Sequence, residues 1–322
     1  GKTDLLGCFI YSNAGWKEGV AAFSIEDSQV SLSGLNERNF NRRPVSTWFR
    51  EVHQGDERVQ KERAWVYVEK RAEKQAQKKI PETDAIFKQL NELHKEAEQD
   101  EMILRISIDT KAAVLIGPFS RNGKTRVIVR AADHDFKPDA KLIPFGIFLP
   151  KYNEVYLYFT ASRVTSDFIV DCLRDFWLTV RTRFRHVRTL LINQDNGPEN
   201  HSRRTQFMKR ITEFVDEFQM TIQLAHYPPY HSKYNPIERV WGVLEQHWNG
   251  SLLDTKQTVL DFAKTMAWHG RHPIVQLVDR LYHTGVSLTQ KAMAELEKRF
   301  ERLPGLEKWF VRISPLPVPP RL

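Results

Sequence analysis

Three acids stand where they could act as one group. Asp109 closes the stretch "ILRISIDT", Asp195 follows "RTLLINQ", and Glu238 lies in "NPIERVWGVLEQHW". Asp195 comes 86 residues after Asp109, and Glu238 another 43 residues on. Carboxylates that converge repel one another unless they are protonated or paired with cations. Hard oxygen ligands suit Mg²⁺ or Mn²⁺, which keep positions open for phosphate oxygens and water. Two such ions about 3.5–4 Å apart can activate a nucleophile and stabilise the leaving oxygen in phosphodiester transfer. On this reading Asp109, Asp195 and Glu238 are both the metal ligands and the catalytic residues.

Each acid has a plainer explanation. Asp109 could be a strand-end acid paired with Lys111. Asp195 could shape an Asx turn with Asn196 and Gly197, a sequence that readily supplies positive φ. Glu238 could complete a capping box, with Asn235 as N-cap and Pro236 at the first helical position. Glu245, seven residues after Glu238 on much the same helix face, is the best substitute third acid. Asp133, His134 and Asp135 resemble a metal trio, but neighbours in an extended segment point to opposite sides. His269 and His272 are separated by Gly270 and flanked by Pro273, a poor context for a helical ligand pair.

The surrounding elements decide whether the three acids can meet. "ILRISIDT" alternates apolar and polar residues like a half-buried strand. "AAVLIGPF", "TRVIVRAA", "LIPFGIFLP" and "EVYLYFT", separated by turns, extend this as antiparallel strands. Helix then alternates with strand. "TSDFIVDCLRDFWLTVRTRF" is a helix and "RTLLINQD" a strand; "SRRTQFMKRITEFVDEFQ" is a helix and "TIQLAHYPP" a strand; a helix follows from Asn235. That order predicts an α/β fold with a mixed sheet covered on both faces. Both aspartates would then lie at one rim, and the last helix could bring Glu238 over it. Trp241 and Trp248 are expected to pack that helix on the sheet.

The flanks are read separately. Residues 1–100 form a mostly helical, basic N-terminal region: 58–99 is charged and helix-favouring, with Thr83 or Asp84 capping a second helix after Pro81. It is either a solvated helix pair or a basic arm that contacts phosphates. Residues 101–250 form the catalytic domain, and 251–322 a C-terminal helical extension ending in the Pro-rich tail "ISPLPVPPRL".

A net charge of +8 in 322 residues and a pI near 9.4 favour a polyanionic partner. Two cysteines, Cys8 and Cys172, exclude a disulfide framework and fit a reducing cytoplasm. No apolar run approaches the ~20 residues of a membrane span.

Four segments carry a family resemblance: "SIDTKAAVLIGPFSRNGK", "DHDFKPDAKLIPFGIFLP", "QDNGPENHSRRTQFMKR" and "AHYPPYHSKYNPIERVWGVLEQHWNG". Over roughly residues 78–313 the chain resembles bacterial insertion-sequence transposases of the ISAzo type, in the RNase H-like DDE superfamily. The last segment also resembles mariner-like transposases. The resemblance implies an RNase H-like catalytic domain whose triad falls on Asp109, Asp195 and Glu238. It further implies Mg²⁺ or Mn²⁺ as cofactor, two ions in all, DNA cleavage at transposon ends, and strand transfer by 3′-hydroxyl attack. Transposon-end and target DNA are the expected partners, with a homodimer on DNA. A metal nuclease without strand transfer and a catalytically silent DNA-binding remnant are the alternatives. Transposases of this kind are expected to carry an N-terminal helix-turn-helix; residues 1–57 show none clearly, and the sequence opens on Gly, so a truncated or frame-shifted copy is expected.

Lys111, Arg121, Lys124, His231, Lys233 and Arg239 are the candidate DNA contacts, since Lys and Arg position phosphates without reading sequence. Lys233 and Arg239 stand out because they flank a helix start, where anions are favoured. The loop "YPPYHSKYNP" could be a stiff DNA-facing platform or a packed connection.

Overall fold

The computed structural model describes residues 79–117, 119 and 140–317. The expectations for residues 1–78, for the strand "TRVIVRAA", and for Arg121, Lys124, Asp133, His134 and Asp135 lie outside the described residues.

The first described helix, α1 (Thr83–Gln99), buries Ile86, Leu90 and Ala97. Their spacing of four and seven residues puts them on one face, as a 3.6-residue repeat requires. That face meets Leu191, Ala225, Tyr227, Trp309 and Phe310. So α1 is a packed layer of the domain and not a solvated helix. Glu82 occupies its N-cap position without a side-chain cap, while Thr83 Oγ instead accepts from the Ile80 N–H at 3.0 Å.

Nine described strands form the sheet. They are β1 (Ile103–Thr110), β2 (Val114–Ile116), β3 (Ala140–Leu149), β4 (Glu154–Thr160), β5 (Thr189–Gln194), β6 (Thr221–His226), β7 (Ile274–Val278), β8 (Phe300–Arg302) and β9 (Phe310–Ile313). Their order is β7-β4-β3-β1-β5-β6-β9-β8, with β2 pairing β3. β4, β3 and β1 are antiparallel neighbours, whereas β1, β5 and β6 run parallel. This is the mixed sheet that the pattern predicts.

Helix α2 (Ser166–Val180) carries β4 to β5, and α3 (Thr205–Phe218) carries β5 to β6. Both pack on one face against Leu104, Ile106 and Ile108 of β1 and Leu190 and Ile192 of β5. The opposite face is covered by α1, α4 (Ile237–Trp248) and α5 (Lys256–Thr265). Thr165 caps α2 through Oγ to the Phe168 N–H. The helix stops at Val180, four residues before the expected end, because Phe184 and Val187 turn back into the core, 2% and 4% exposed.

The segment after 251, expected to be helical, supplies α5 and α6 (Gln290–Glu297) but also β7, β8 and β9. β7 extends one side of the sheet beside β4, and β9 extends the other beside β6. β8 and β7 are short, with no fully buried residue, so no apolar alternation marks them in the sequence.

Candidate active site

Asp109 is the seventh residue of β1, and its side chain shares a face with Arg105 and Ser107 by the two-residue period of a strand. In the parallel ladder Ser107 stands opposite Asn193. Asp109 lies two residues further along β1, and Asp195 is the first residue past β5, so both stand at the carboxyl ends of adjacent strands. Neighbouring strands lie about 4.8 Å apart, and this rim is where open α/β sheets place their ligands.

Asp195 is held by a residue that sequence reasoning passed over. Asn200 Nδ2 donates to Asp195 Oδ1 at 3.1 Å, to the Asp195 carbonyl at 3.3 Å and to Gln194 Oε1 at 3.3 Å. Below it, Gln194 and His226 side chains are fully buried and lie 2.9 Å apart. His226 also contacts the Asn200 and Trp309 carbonyls. Burial lowers the His226 pKa, with those carbonyl contacts acting against it. The Asn196-Gly197 pair is not a positive-φ turn: neither residue is among those with left-handed backbone. Gly197 serves close approach instead, since a Cβ there would lie 2.8 Å from Asn200 Oδ1 and 3.3 Å from both Asp195 oxygens.

The start of α4 is fixed to β1 by two buried side chains. Asn235 Nδ2 donates to the Ile108 carbonyl at 2.9 Å, and its Oδ1 accepts from Ser107 Oγ at 2.5 Å. Ser107 Oγ in turn accepts from the Ile237 N–H at 3.1 Å. A strand serine thus caps the helix. Asn235, expected as N-cap, spends its side chain on the sheet, and no side chain of its own segment caps α4. The capping-box account of Glu238 therefore loses its partner. Glu238 sits half-buried in the first turn, one turn from the strand that carries Asp109.

Trp241, one turn later, packs on Gly146, which faces Asp109 across the β1–β3 ladder. A Cβ on Gly146 would meet Ile237 at 2.5 Å and the Trp241 ring at 2.7 Å, so this contact requires glycine. The close fit brings Trp241 Nε1 to 2.9 Å from Asp109 Oδ2, to which it donates. Packing of Trp241 was expected; the hydrogen bond was not. Burial, then the charges of Asp195 and Glu238, push the Asp109 carboxyl up to about 7, against the Trp241 and Thr110 hydrogen bonds. Asp109 is therefore the point at which all three acids act on one another.

The basic candidates separate on inspection. Lys111 pairs with Glu245 at 2.7 Å and not with Asp109, and Glu245 Oε2 also accepts from Trp248 Nε1. Glu245 is thus engaged by Lys111 and Trp248. His231 is buried, 2.7 Å from the Pro229 carbonyl, and it contacts the rings of Phe87 and Tyr234. Lys233 is exposed over the Tyr234 ring, and Arg239 is exposed on α4. The "YPPYHSKYNP" loop is consequently packed on α1 through Phe87, yet it presents Tyr230 64% exposed with φ of 66°. His272 contacts the Met266 carbonyl and does not join a ligand set.

The donor set fits a hard divalent ion in kind: carboxylate oxygens, and neighbouring negative charges that a cation would offset. Among the described residues, no three His, Cys, Asp or Glu side chains gather closely enough to hold a metal between them. Asp109 and Asp195 are the pair best placed for it, and Glu238 reaches Asp109 through its charge.

Residues 62–315 match the family model described as "Rhodopirellula transposase DDE domain". No curated protein matches the sequence. Solved structures with a similar chain path include the Mos1 transposase paired-end complex with left transposon end, at 11% identity and a TM-score of 0.43. The Mos1 mariner paired-end complex with Mn follows at 10% and 0.42, and the Mos1 strand transfer complex at 12% and 0.41. Each alignment covers 60% of this chain and 56–57% of the other, so the chain spans little more than half the length of these structures.

Proposed function

The chain belongs to the DDE transposase domain family, and from that premise we propose that it cuts DNA at the ends of a mobile element and joins the freed 3′-hydroxyls to target DNA. The observation that carries this reading is the placement of Asp109 and Asp195 side by side at the rim of the sheet, with Glu238 close enough to raise the Asp109 pKa.

Mg²⁺ or Mn²⁺, as two ions when bound, would activate water or a 3′-hydroxyl and stabilise charge on the phosphate oxygens. Asp109 and Asp195 would hold the metal, and Glu238 would complete the set. The Trp241 N–H occupies Asp109 Oδ2 and thereby fixes the rotation of that carboxylate. Asn200 does the same for Asp195 Oδ1, in the manner of outer partners that orient metal ligands. Lys233 and Arg239, exposed beside the start of α4, would position the phosphate backbone. Two DNA ends must be brought together for joining, which calls for a homodimer on DNA.

The test is strand cleavage on DNA bearing the sequences that flank the gene, run in Mg²⁺ and in Mn²⁺. Wild type should yield 3′-hydroxyl ends that join to target DNA. Asp109→Asn and Asp195→Asn should fall to background while the fold, followed by circular dichroism, persists. Cleavage that survives both substitutions would place the active site elsewhere. Cleavage without joining would leave a metal nuclease.

A further inference from the structure

The loop between α2 and β5 reads "RTRFRHVR", four arginines and one histidine in residues 181–188 without an acid. It borders a cavity of about 370 Å³ where the carboxyl ends of α2 and α3 meet. Arg181, Arg185 and Arg188 line the cavity around an apolar floor of Trp177, Phe184 and Phe218. All three arginines are exposed, and among the described residues none of the three forms an ion pair. Their neighbours are otherwise committed. Arg183 is held by Glu154 at 2.7 Å, and Glu217 on the cavity rim is held by Arg174 at 2.6 Å.

A plain account is that these arginines offset the negative ends of the two helices. Each helix end carries only about −0.5 charge, so three guanidiniums exceed what two ends require. The surplus of roughly two positive charges is enough for a phosphate, which guanidiniums grip in paired hydrogen bonds. The volume lies within the ~300–1,000 Å³ range of small-ligand sites. Trp177 and Phe184 are buried in the core, so the half-buried Phe218 is the ring of this floor that can meet a planar group beside that phosphate. The cavity opens at the amino ends of β5 and β6, whereas the acids lie at the carboxyl ends. Six residues of strand separate the two by about 20 Å.

We propose that this cavity is a nucleotide-binding site, taking the phosphate on Arg181, Arg185 and Arg188 and the base beside the half-buried Phe218. The nucleotide comes either from a DNA strand passing the pole opposite the acids or from a free nucleotide. The site stands independently of the acid row.

Photocrosslinking of the full chain tests it, with a 12-nucleotide strand carrying 5-iododeoxyuridine in one arm and 8-azido-dATP in the other. Adducts are mapped by mass spectrometry. Adducts within residues 177–188 or 217–220 are expected, and their yield should fall about tenfold or more in an Arg181→Ser/Arg185→Ser/Arg188→Ser variant. Labelling by the strand alone identifies strand DNA as the occupant; labelling by 8-azido-dATP identifies a free nucleotide. A Lys256→Ser/Lys264→Ser/Lys291→Ser variant, with the same loss of charge elsewhere, should keep the yield, as should Asp109→Asn. Adducts only outside these segments, or an equal loss in both triple variants, would overturn the proposal whether or not the protein cleaves DNA.

Discussion

Asp195 and Asp109 are each oriented by one donor from outside their own strands: the Asn200 amide on one and the Trp241 indole on the other. Neither donor is itself an acid or a base, so neither would be chosen by chemistry alone. With a metal held as proposed, their effect would be on its affinity. Removing an outer partner of a metal ligand typically costs 10–100-fold in affinity or activity. Asn200→Ala should therefore raise the Mn²⁺ concentration needed for half-maximal thermal stabilisation by about 10–100-fold. Its secondary structure should stay unchanged. An unaltered Mn²⁺ midpoint would show that Asn200 closes the turn and does nothing for Asp195. The Asp195-Asn196-Gly197 sequence looks like a turn in any sequence reading, yet the glycine is required for the 2.8 Å approach to Asn200 and not for backbone handedness. That distinction needs Asn200 in place, and sequence spacing cannot supply it.

At the scale of elements, the site depends on how α4 lies against β1 and β3. Three side chains set that seating: Ser107 and Asn235 at the helix start, and Trp241 over Gly146 one turn later. Gly146→Val would push Ile237 and Trp241 off the sheet. Overpacking of this kind typically costs about 1–3 kcal/mol, and here it should also break the Trp241–Asp109 bond. We expect a lower urea midpoint together with loss of Mn²⁺-dependent stabilisation. A variant that is destabilised but binds Mn²⁺ normally would show that α4 packing and the acid row are independent. Helix α1 takes part from the same face of the sheet, where Phe87 braces the His231–Tyr234 loop leading into α4. Its amphipathic spacing is plain in the sequence, but the high charge of its flanks points equally to a solvated helix, and only the sheet beneath decides.

For the whole molecule, buried histidines set the acid limit of stability. Burial, with Arg105 adding to it, pushes His94 down to about 3, and burial lowers His226 as well. Both are neutral in the folded chain, whereas an unfolded histidine takes up a proton near pH 6.5. The unfolded state then binds more protons below about pH 6.5, so stability is fully present above that pH and falls as the pH drops toward about 3. The raised Asp109 carboxyl titrates with the opposite sign over this range, so the thermal midpoint of Asp109→Asn should decline between pH 7 and pH 5, and adding His94→Gln should flatten that decline. A midpoint independent of pH in both proteins would rule out this account. No described helix is long and apolar enough to cross a membrane.

What the sequence determined by itself is local and periodic. Alternating apolar residues specified β1, short apolar runs bounded by turns specified β3, β4, β5 and β6, and helical spacing with its start signals specified α2, α3 and α4 between and after them. The order of those elements was sufficient for a mixed sheet covered on both faces, with Asp109 and Asp195 at strand ends. The tertiary structure decided everything that depends on which strands are neighbours. β7, β8 and β9 are three to five residues long and take their places from β4 and β6 as partners, so no internal pattern marks them. The Ser107–Asn235 and Asp109–Trp241 bonds join residues 128 and 132 apart, and no helical or strand period spans such a distance. A carboxylate's chemistry is written in its residue type, but its environment is set by the chain that folds back over it.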